Sequence, residues 1–260
     1  MWDHRYLARM DWRTIPILIL LMVISILVIS ATTADNPDLI EESWLTPTAR
    51  NQIRWFGLGW MVYLFFAGLD YRKLKKWTWV LYFGMLIMLF GLFFVPAIQN
   101  VHRWYRIPGL NFAFQPSEYA KLIVVMALSL YLEGKGRDII RSRGGTLKAI
   151  LIIFVPFVLI LKQPDLGTSL VLYPIALVMF YFGGIQKRVI KWMTWMAVGG
   201  LVFVSMMFLG FIDHDEFRPY ATRVIKEYQY ERLNPNTYHQ MASQTAIALG
   251  GITGSGWSLS

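Results

Sequence analysis

Long uncharged apolar runs, parted by short basic segments, set the pattern of this chain. Thr14–Ala34 is uncharged between Arg13 and Asp35, and Trp77–His102 between Lys76 and Arg103. Leu166–Gln186 lies likewise between Asp165 and Lys187, and Trp192–Ile212 between Lys191 and Asp213. Each reaches the roughly 20 residues a membrane-spanning helix needs. Three further runs are shorter or carry charge: Trp55–Leu69, with Arg54 placed to snorkel; Gln115–Leu132, which contains Glu118 and Lys121; and Thr146–Gln163, with Lys148 and Lys162 near its ends. The pattern predicts an all-α, polytopic helical membrane protein with about seven spans, over 14–34, 55–69, 77–100, 115–132, 146–163, 166–186 and 192–212. It predicts a single membrane domain over 1–260, with 213–260 as an extracytoplasmic loop that is incomplete.

Orientation follows from Lys and Arg in the short loops. With the N-terminus inside, the inner segments hold Arg5, Arg9 and Arg13; Arg72, Lys73, Lys75 and Lys76; Lys135, Arg137, Arg141, Arg143 and Lys148; and Lys187, Arg188 and Lys191. The short outer loops hold Arg50, Arg54, Arg103, Arg106 and Lys162, a third as many. Asp35, Asp38, Glu41 and Glu42 make the first outer loop acidic. A cytoplasmic N-terminus is the expectation.

Composition agrees. The chain is 56% hydrophobic with a mean hydropathy of +0.44, above the roughly 45–50% of globular chains. It has no cysteine, which excludes disulfides and thiolate metal sites. A net charge of +9 does not point to nucleic acid, because the cations fall between apolar runs and not in one stripe. The first apolar run is too long for a cleavable signal, lacks a clear small-residue cleavage site, and is followed by more spans. The 11 Trp and 13 Tyr read as interfacial belts, and the 13 Met as span filler.

Two polar clusters interrupt the oil: Gln115-Pro116-Ser117-Glu118-Tyr119-Ala120-Lys121 and Gln163-Pro164-Asp165-Leu166-Gly167-Thr168-Ser169. An ionisable residue within the membrane is a functional candidate by default. The orientation puts both clusters at the outer N-termini of inward-running helices. Pro116 and Pro164 suit a first helical turn, and there the helix dipole favours the carboxylates of Glu118 and Asp165. Glu118 and Lys121 share a helix face and can pair. Arg103 and Arg106 lie just upstream. The expectation is a polar, water-accessible cleft with two carboxylates and up to three cations, opening outward. Arg forks suit phosphate and carboxylate oxygens; a carboxylate could instead hold a hard divalent cation. Such a cleft could take the charged head of a lipid while the tail stays in the bilayer. Two plainer readings stand beside it: Glu118–Lys121 as a buried ion pair that fixes helix packing, and Asp165 as a cap on its own helix.

The same residues carry a family resemblance. Phe114-Gln-Pro-Ser-Glu-Tyr-Ala-Lys121 resembles the F-Q-P-S-E-x-x-K signature of the shape, elongation, division and sporulation family, the RodA/FtsW/SpoVE peptidoglycan polymerases. Gln163-Pro-Asp-Leu-Gly-Thr-Ser169 matches the family's Q-P-D-L-G-T-S, in the right order, and Arg103-Trp104 its R-W. The resemblance runs from about Asp11 to the last residue and is somewhat closer to the rod-elongation branch. It implies a multi-span glycosyltransferase of the bacterial inner membrane, which polymerises lipid II at the outer face and serves cell shape and division. It further implies a class B penicillin-binding protein as partner, membrane lipids as surroundings, and assistance by Mg²⁺ or Mn²⁺. By the same resemblance Arg103, Gln115, Ser117, Glu118, Lys121, Gln163, Asp165, Thr168 and Ser169 line the substrate cavity.

The later part matches less closely. Tyr238-His239 and Ser243 follow the family's Y-H-x-x-Q-S, with Ala242 in place of Gln. Ala246-Ile247 and Gly250-Gly251 follow A-I-x-x-G-G, and Leu233-Asn234-Pro235 resembles L-D-P. Ser255 replaces a common Lys between Gly254 and Gly256. The family's proposed general-base Asp and about three more spans would lie past Ser260, so the expectation is a C-terminally truncated chain whose catalytic base is not among these residues. Two other functions remain open from the sequence: a lipid-precursor flippase, suggested by charges within the membrane, and an interaction fragment without chemistry. Asp213-His214-Asp215-Glu216 resembles a metal-ligand cluster, but a solvated loop after a span is the favoured reading.

Overall fold

The computed structural model describes residues 2–33, 45–96, 102–106, 113–223, 227–234, 237–252 and 254. The acidic loop from Asp35 to Glu42, positions 97–100 of the third predicted run, and Pro235, Ser255 and Gly256 lie outside the described residues. Seven long helices overlie the seven predicted runs: α1 (Thr14–Thr33), α2 (Pro47–Ala67), α3 (Thr78–Gly91), α4 (Pro116–Glu133), α5 (Arg143–Lys162), α6 (Leu166–Gly183) and α7 (Lys187–Phe208). Among the described residues five stretches are long and apolar enough to cross a membrane, at 14–32, 71–94, 143–162, 166–183 and 187–208. α2 and α4 are not among them. α2 begins eight residues before the predicted boundary because its start is set by capping and not by hydropathy. Thr46 accepts from the Ala49 amide and Pro47 takes the first turn, ahead of a polar stretch to Arg54.

The helices pack as two units, residues 1–73 with 236–260, and Leu74–Pro235. In the first unit α1 packs on α2. The Trp60 indole N–H reaches the Met22 sulfur at 3.2 Å, and Leu18, Phe56 and Tyr63 help line an apolar cleft of about 300 Å³. The N-terminal segment is pinned to the end of α2 by Trp2, whose indole N–H donates to the Phe65 carbonyl at 3.0 Å.

In the second unit α4 sits centrally, against α3, α5 and α6. Its inward face is built of Ser117, Ala120, Val124, Ala127 and Leu128, all buried, at helical spacing. Its outward face shows Tyr119, Leu122 and Val125. Small side chains on the contact face and large apolar ones outside are what close packing in lipid favours, since lipid and Leu are equally apolar. Ala149 of α5 and Ala176 of α6 continue the small-residue contact. One polar bond closes this core. Pro156 sits inside α5 and donates no hydrogen bond, which frees the Ile152 carbonyl one turn back. The Tyr82 hydroxyl of α3 donates to that carbonyl at 2.9 Å. α7 lies against α6 through Val189, Ile190 and Met193, with the Tyr173 hydroxyl donating to the Met193 carbonyl at 2.5 Å.

The stretch from 213 on, expected as a loop, is partly helical: α8 (His214–Ala221) and α9 (Tyr238–Gly250) form within it. Asp213 caps α8 by accepting from the Asp215 and Glu216 amides at 2.7 and 3.3 Å. His214 stacks on buried Tyr230, with ring centroids 4.3 Å apart, and Arg218 pairs with Glu227 and, at 3.7 Å, with Glu231. The acidic first turn of α8 suits its helix dipole.

Candidate functional site

The site is assembled at the N-terminal end of α4, the turn between α5 and α6, and a short hairpin. The hairpin pairs β1 (Tyr105–Arg106) with β2 (Ala113–Phe114), Tyr105 opposite Phe114. It is fixed to the end of α3: the Tyr105 hydroxyl donates to the Met88 carbonyl at 2.7 Å. Gly91 makes the approach possible, because a Cβ there would stand 2.6 Å from the Tyr105 oxygen. Burial pushes the Tyr105 phenol above its ordinary range.

Anchored this way, the segment presents Arg103 and Trp104. The Arg103 Nε donates to the Gln163 carbonyl at 3.3 Å, and its Nη2 to the Pro164 carbonyl. Its Nη1 lies 3.9 Å from Asp165 Oδ1. Asp165 is buried and caps α6 by accepting from the Thr168 amide at 3.2 Å. Its other oxygen accepts from Gln115 Nε2 at 3.0 Å, a bond that joins the two polar clusters across fifty residues of sequence. Gln115 is held in turn by Ser117 Oγ at 3.0 Å and by the Trp104 indole N–H, which donates to Gln115 Oε1 at 3.1 Å.

The expected residues therefore divide. Arg103, Gln115, Ser117 and Asp165 come together in one network. Gln163 turns away into the core and donates to the Leu89 carbonyl at 2.7 Å. Ser169 is buried and bonds back to Leu166 at 2.9 Å, and Thr168 contributes its backbone amide. Pro116 opens α4, as its place in the sequence suggests, but Pro164 stands before the cap of α6 and not in its first turn. Asp165 is the cap itself. Its side-chain oxygen satisfies an amide that a residue inside the turn could not reach.

Glu118 and Lys121 pair at 2.8 Å, as their spacing predicts, but the pair is open: the side chains are 53% and 26% exposed. It is not a buried packing pair. Among the described residues each has the other as its partner, so this is the half of the site free to meet a ligand. Arg103, by contrast, already gives two donors to carbonyls and lies beside the Asp165 carboxylate. Sequence reasoning missed Tyr105 and the scaffold role of Gln163, because both act on the end of α3, far away in sequence.

Among the described residues no three His, Cys, Asp or Glu side chains converge to hold a metal ion. Asp165 has both oxygens occupied and faces a guanidinium, which disfavours a dication beside it. Asp213 is a helix cap and His214 a stacked, buried ring, so the Asp213–Glu216 segment does not form a metal centre.

Known proteins resemble this chain along nearly its whole length. The FtsW/RodA/SpoVE family model, described as a cell cycle protein, matches residues 11–260. A Helicobacter pylori protein named peptidoglycan glycosyltransferase MrdB is 27% identical over 94% of this chain and 59% of its own length. A Wigglesworthia glossinidia brevipalpis protein named probable peptidoglycan glycosyltransferase FtsW is 28% identical over 90% of this chain and 58% of its own. Stage V sporulation protein E of Bacillus subtilis is 27% identical over 95% and 65%. The chain thus spans about three fifths of the length of these relatives. A solved structure titled "Structural coordination of polymerization and crosslinking by a peptidoglycan synthase complex" superposes with a TM-score of 0.56 and 25% identity, over 89% of this chain and 64% of that one.

Proposed function

Since this chain belongs to the FtsW/RodA/SpoVE family, we propose that it acts within a peptidoglycan glycosyltransferase that polymerises lipid II at the outer face of the bacterial cytoplasmic membrane. The observation that carries the reading is the Gln115–Asp165 hydrogen bond, which makes one site of two clusters and leaves the Glu118–Lys121 pair open beside it. The rod-elongation branch is our choice within the family, although the elongation, division and sporulation relatives match at 27–28%. A class B penicillin-binding protein is the proposed partner; the likeness to a peptidoglycan synthase complex supports it.

The chemistry asks for two things. The bond from the anomeric carbon to the lipid diphosphate breaks while the acceptor hydroxyl forms the new glycosidic bond and passes its proton to a general base, a role this proposal gives to neither Glu118 nor Asp165. The departing diphosphate needs fixed positive charge where its own charge develops. Lys121 is the open cation for that task, with Arg103 behind it holding the 163–165 turn. Asp165, capped and bonded on both oxygens, positions Gln115 and the start of α6. Glu118 is the open carboxylate; it orients Lys121 and faces the substrate. Mg²⁺ commonly binds one or two carboxylates plus substrate phosphates. In this proposal a divalent cation would be held by Glu118 with phosphate oxygens of the substrate.

The test is lipid II polymerisation by the full-length protein with its partner. Glu118→Ala and Asp165→Ala each lower the rate at least tenfold if the site is assigned correctly. An active complex that tolerates both changes overturns it. Movement of labelled lipid II across vesicles without polymer would favour the flippase instead.

A further inference from the structure

The end of the second unit away from Asp165 holds a basic surface that the proposed reaction does not use. α5 runs 20 residues from Arg143 to Lys162, so its two ends stand about 30 Å apart. At the Arg143 end, Arg141, Arg143, Lys148, Lys187, Arg188 and Lys191 are all exposed. None of the six is in an ion pair among the described residues. The nearest acidic side chain in sequence that is paired, Glu133, is already held by Lys75 at 2.9 Å.

Two observations separate this surface from a loop that merely carries charge. First, the segment is built. The short helix Arg137–Arg141 is locked to α5 by Thr146 Oγ1 on the Ile140 carbonyl at 3.0 Å and by Ser142, whose hydroxyl bonds the Ile139 carbonyl and the Gly145 amide. The Tyr131 hydroxyl donates to the Gly145 carbonyl at 2.9 Å, and a Cβ on Gly145 would stand 1.9 Å from the Ile139 oxygen. Gln186 Nε2 donates to the Arg141 carbonyl at 2.5 Å, which ties this segment to the start of α7. Setting orientation in a membrane needs the charges, not this order. Second, α7 continues from Lys187, Arg188 and Lys191 straight into exposed Trp192 and Trp195, 67% and 62% accessible. Lys187, Lys191 and Trp195 fall on one stripe of the helix, away from the Val189, Ile190 and Met193 face that meets the core. Cations next to outward indoles are suited to the headgroup level of a bilayer.

We propose that this surface is a binding site for an anionic phospholipid headgroup in the leaflet it borders. The phosphate would lie among Arg141, Lys187, Arg188 and Lys191, with the acyl chains along the Trp192–Trp195 face of α7. Lipid is favoured over an acidic protein because the cations and the lipid-facing indoles share one continuous strip.

The experiment is native mass spectrometry of the full chain in nanodiscs of mixed phosphatidylglycerol and phosphatidylcholine, counting lipids retained after release. Retention of phosphatidylglycerol over phosphatidylcholine is expected. Lys187→Gln/Arg188→Gln should lower it, by roughly fivefold for each cation removed. Arg106→Gln/Lys162→Gln removes equal charge at the other end and should leave it unchanged. Gln186→Ala, which unties the segment from the start of α7 but keeps every cation, should lower retention by a smaller factor. Equal retention of both lipids, equal loss in both double variants, or displacement by millimolar inorganic phosphate or an acidic peptide as readily as by lipid would overturn the proposal. None of these readouts depends on glycan synthesis.

Discussion

Asp165 and Glu118 are both carboxylates at the head of a membrane helix, yet they stand in opposite situations. Asp165 is buried, caps α6, and is bonded by Gln115 with Arg103 alongside. Glu118 is half-exposed with Lys121 as its partner. The same helix-dipole argument applies to both and does not tell them apart. What separates them is how many of their acceptor sites the fold already uses. A carboxylate with every oxygen taken holds the site in shape; one with an oxygen free can meet a substrate. In the proposed function the Asp165 network, with Gln115 and Ser117, is the frame, and the Glu118–Lys121 pair is the working edge.

The contrast can be broken most directly at Asp165. Asp165→Ala removes a helix cap and strands Gln115 and Arg103, at a cost of about 2–4 kcal/mol; thermal unfolding in detergent checks it. Asp165→Asn keeps the cap and should recover part of the loss. Tyr82→Phe probes the frame by a route outside the site. It leaves the Ile152 carbonyl without its donor, for about 1–3 kcal/mol by the same measurement. Gly91→Ala drives a Cβ against the Tyr105 oxygen and should cost about 1–3 kcal/mol, with Arg103 displaced. Adding Tyr105→Phe should relieve the clash, because the next ring atom is 3.8 Å from that Cβ, while the bond to Met88 stays lost, so stability returns only in part. Glu118→Ala is the smallest in stability, under about 1 kcal/mol for an exposed pair, while polymerisation falls. If Glu118→Ala unfolds the protein and Asp165→Ala does not, frame and working edge have been assigned the wrong way round.

A pH titration sharpens the hairpin's part in the frame. The Tyr105 phenol is raised in the folded state, so the stability it contributes is fully present below the unfolded value of about 10. That stability is lost as pH rises through the folded value. The late-titrating part of the absorbance at 295 nm should shrink by one tyrosine in Tyr105→Phe.

Much of the fold was legible because a bilayer leaves few choices: apolar runs of the right length must be helices. The Glu118–Lys121 pair was legible for a similar reason, since three residues along a helix is a local distance. The cap at Asp165 was one of two readings, and the sequence could not choose, because a one-residue shift in the helix start decides between them. The hairpin and the end of α3 were not legible. Tyr105 to Met88, Gln163 to Leu89 and Tyr82 to Ile152 are contacts between distant segments, and no periodicity marks them. The contact between 213–223 and 227–233 was hidden too, since it includes a histidine stacking on a tyrosine sixteen residues later.

The proline inside α5 has a mechanical consequence. A helix that gives up one of its own bonds would ordinarily gain a place to bend. Here the freed carbonyl is taken by Tyr82, so the place where α5 could flex is bolted to α3. Neither helix can rotate or slide without breaking a buried bond. The two helices therefore act as one stiff wall of the second unit, joined by a bond that neither could keep if it moved alone.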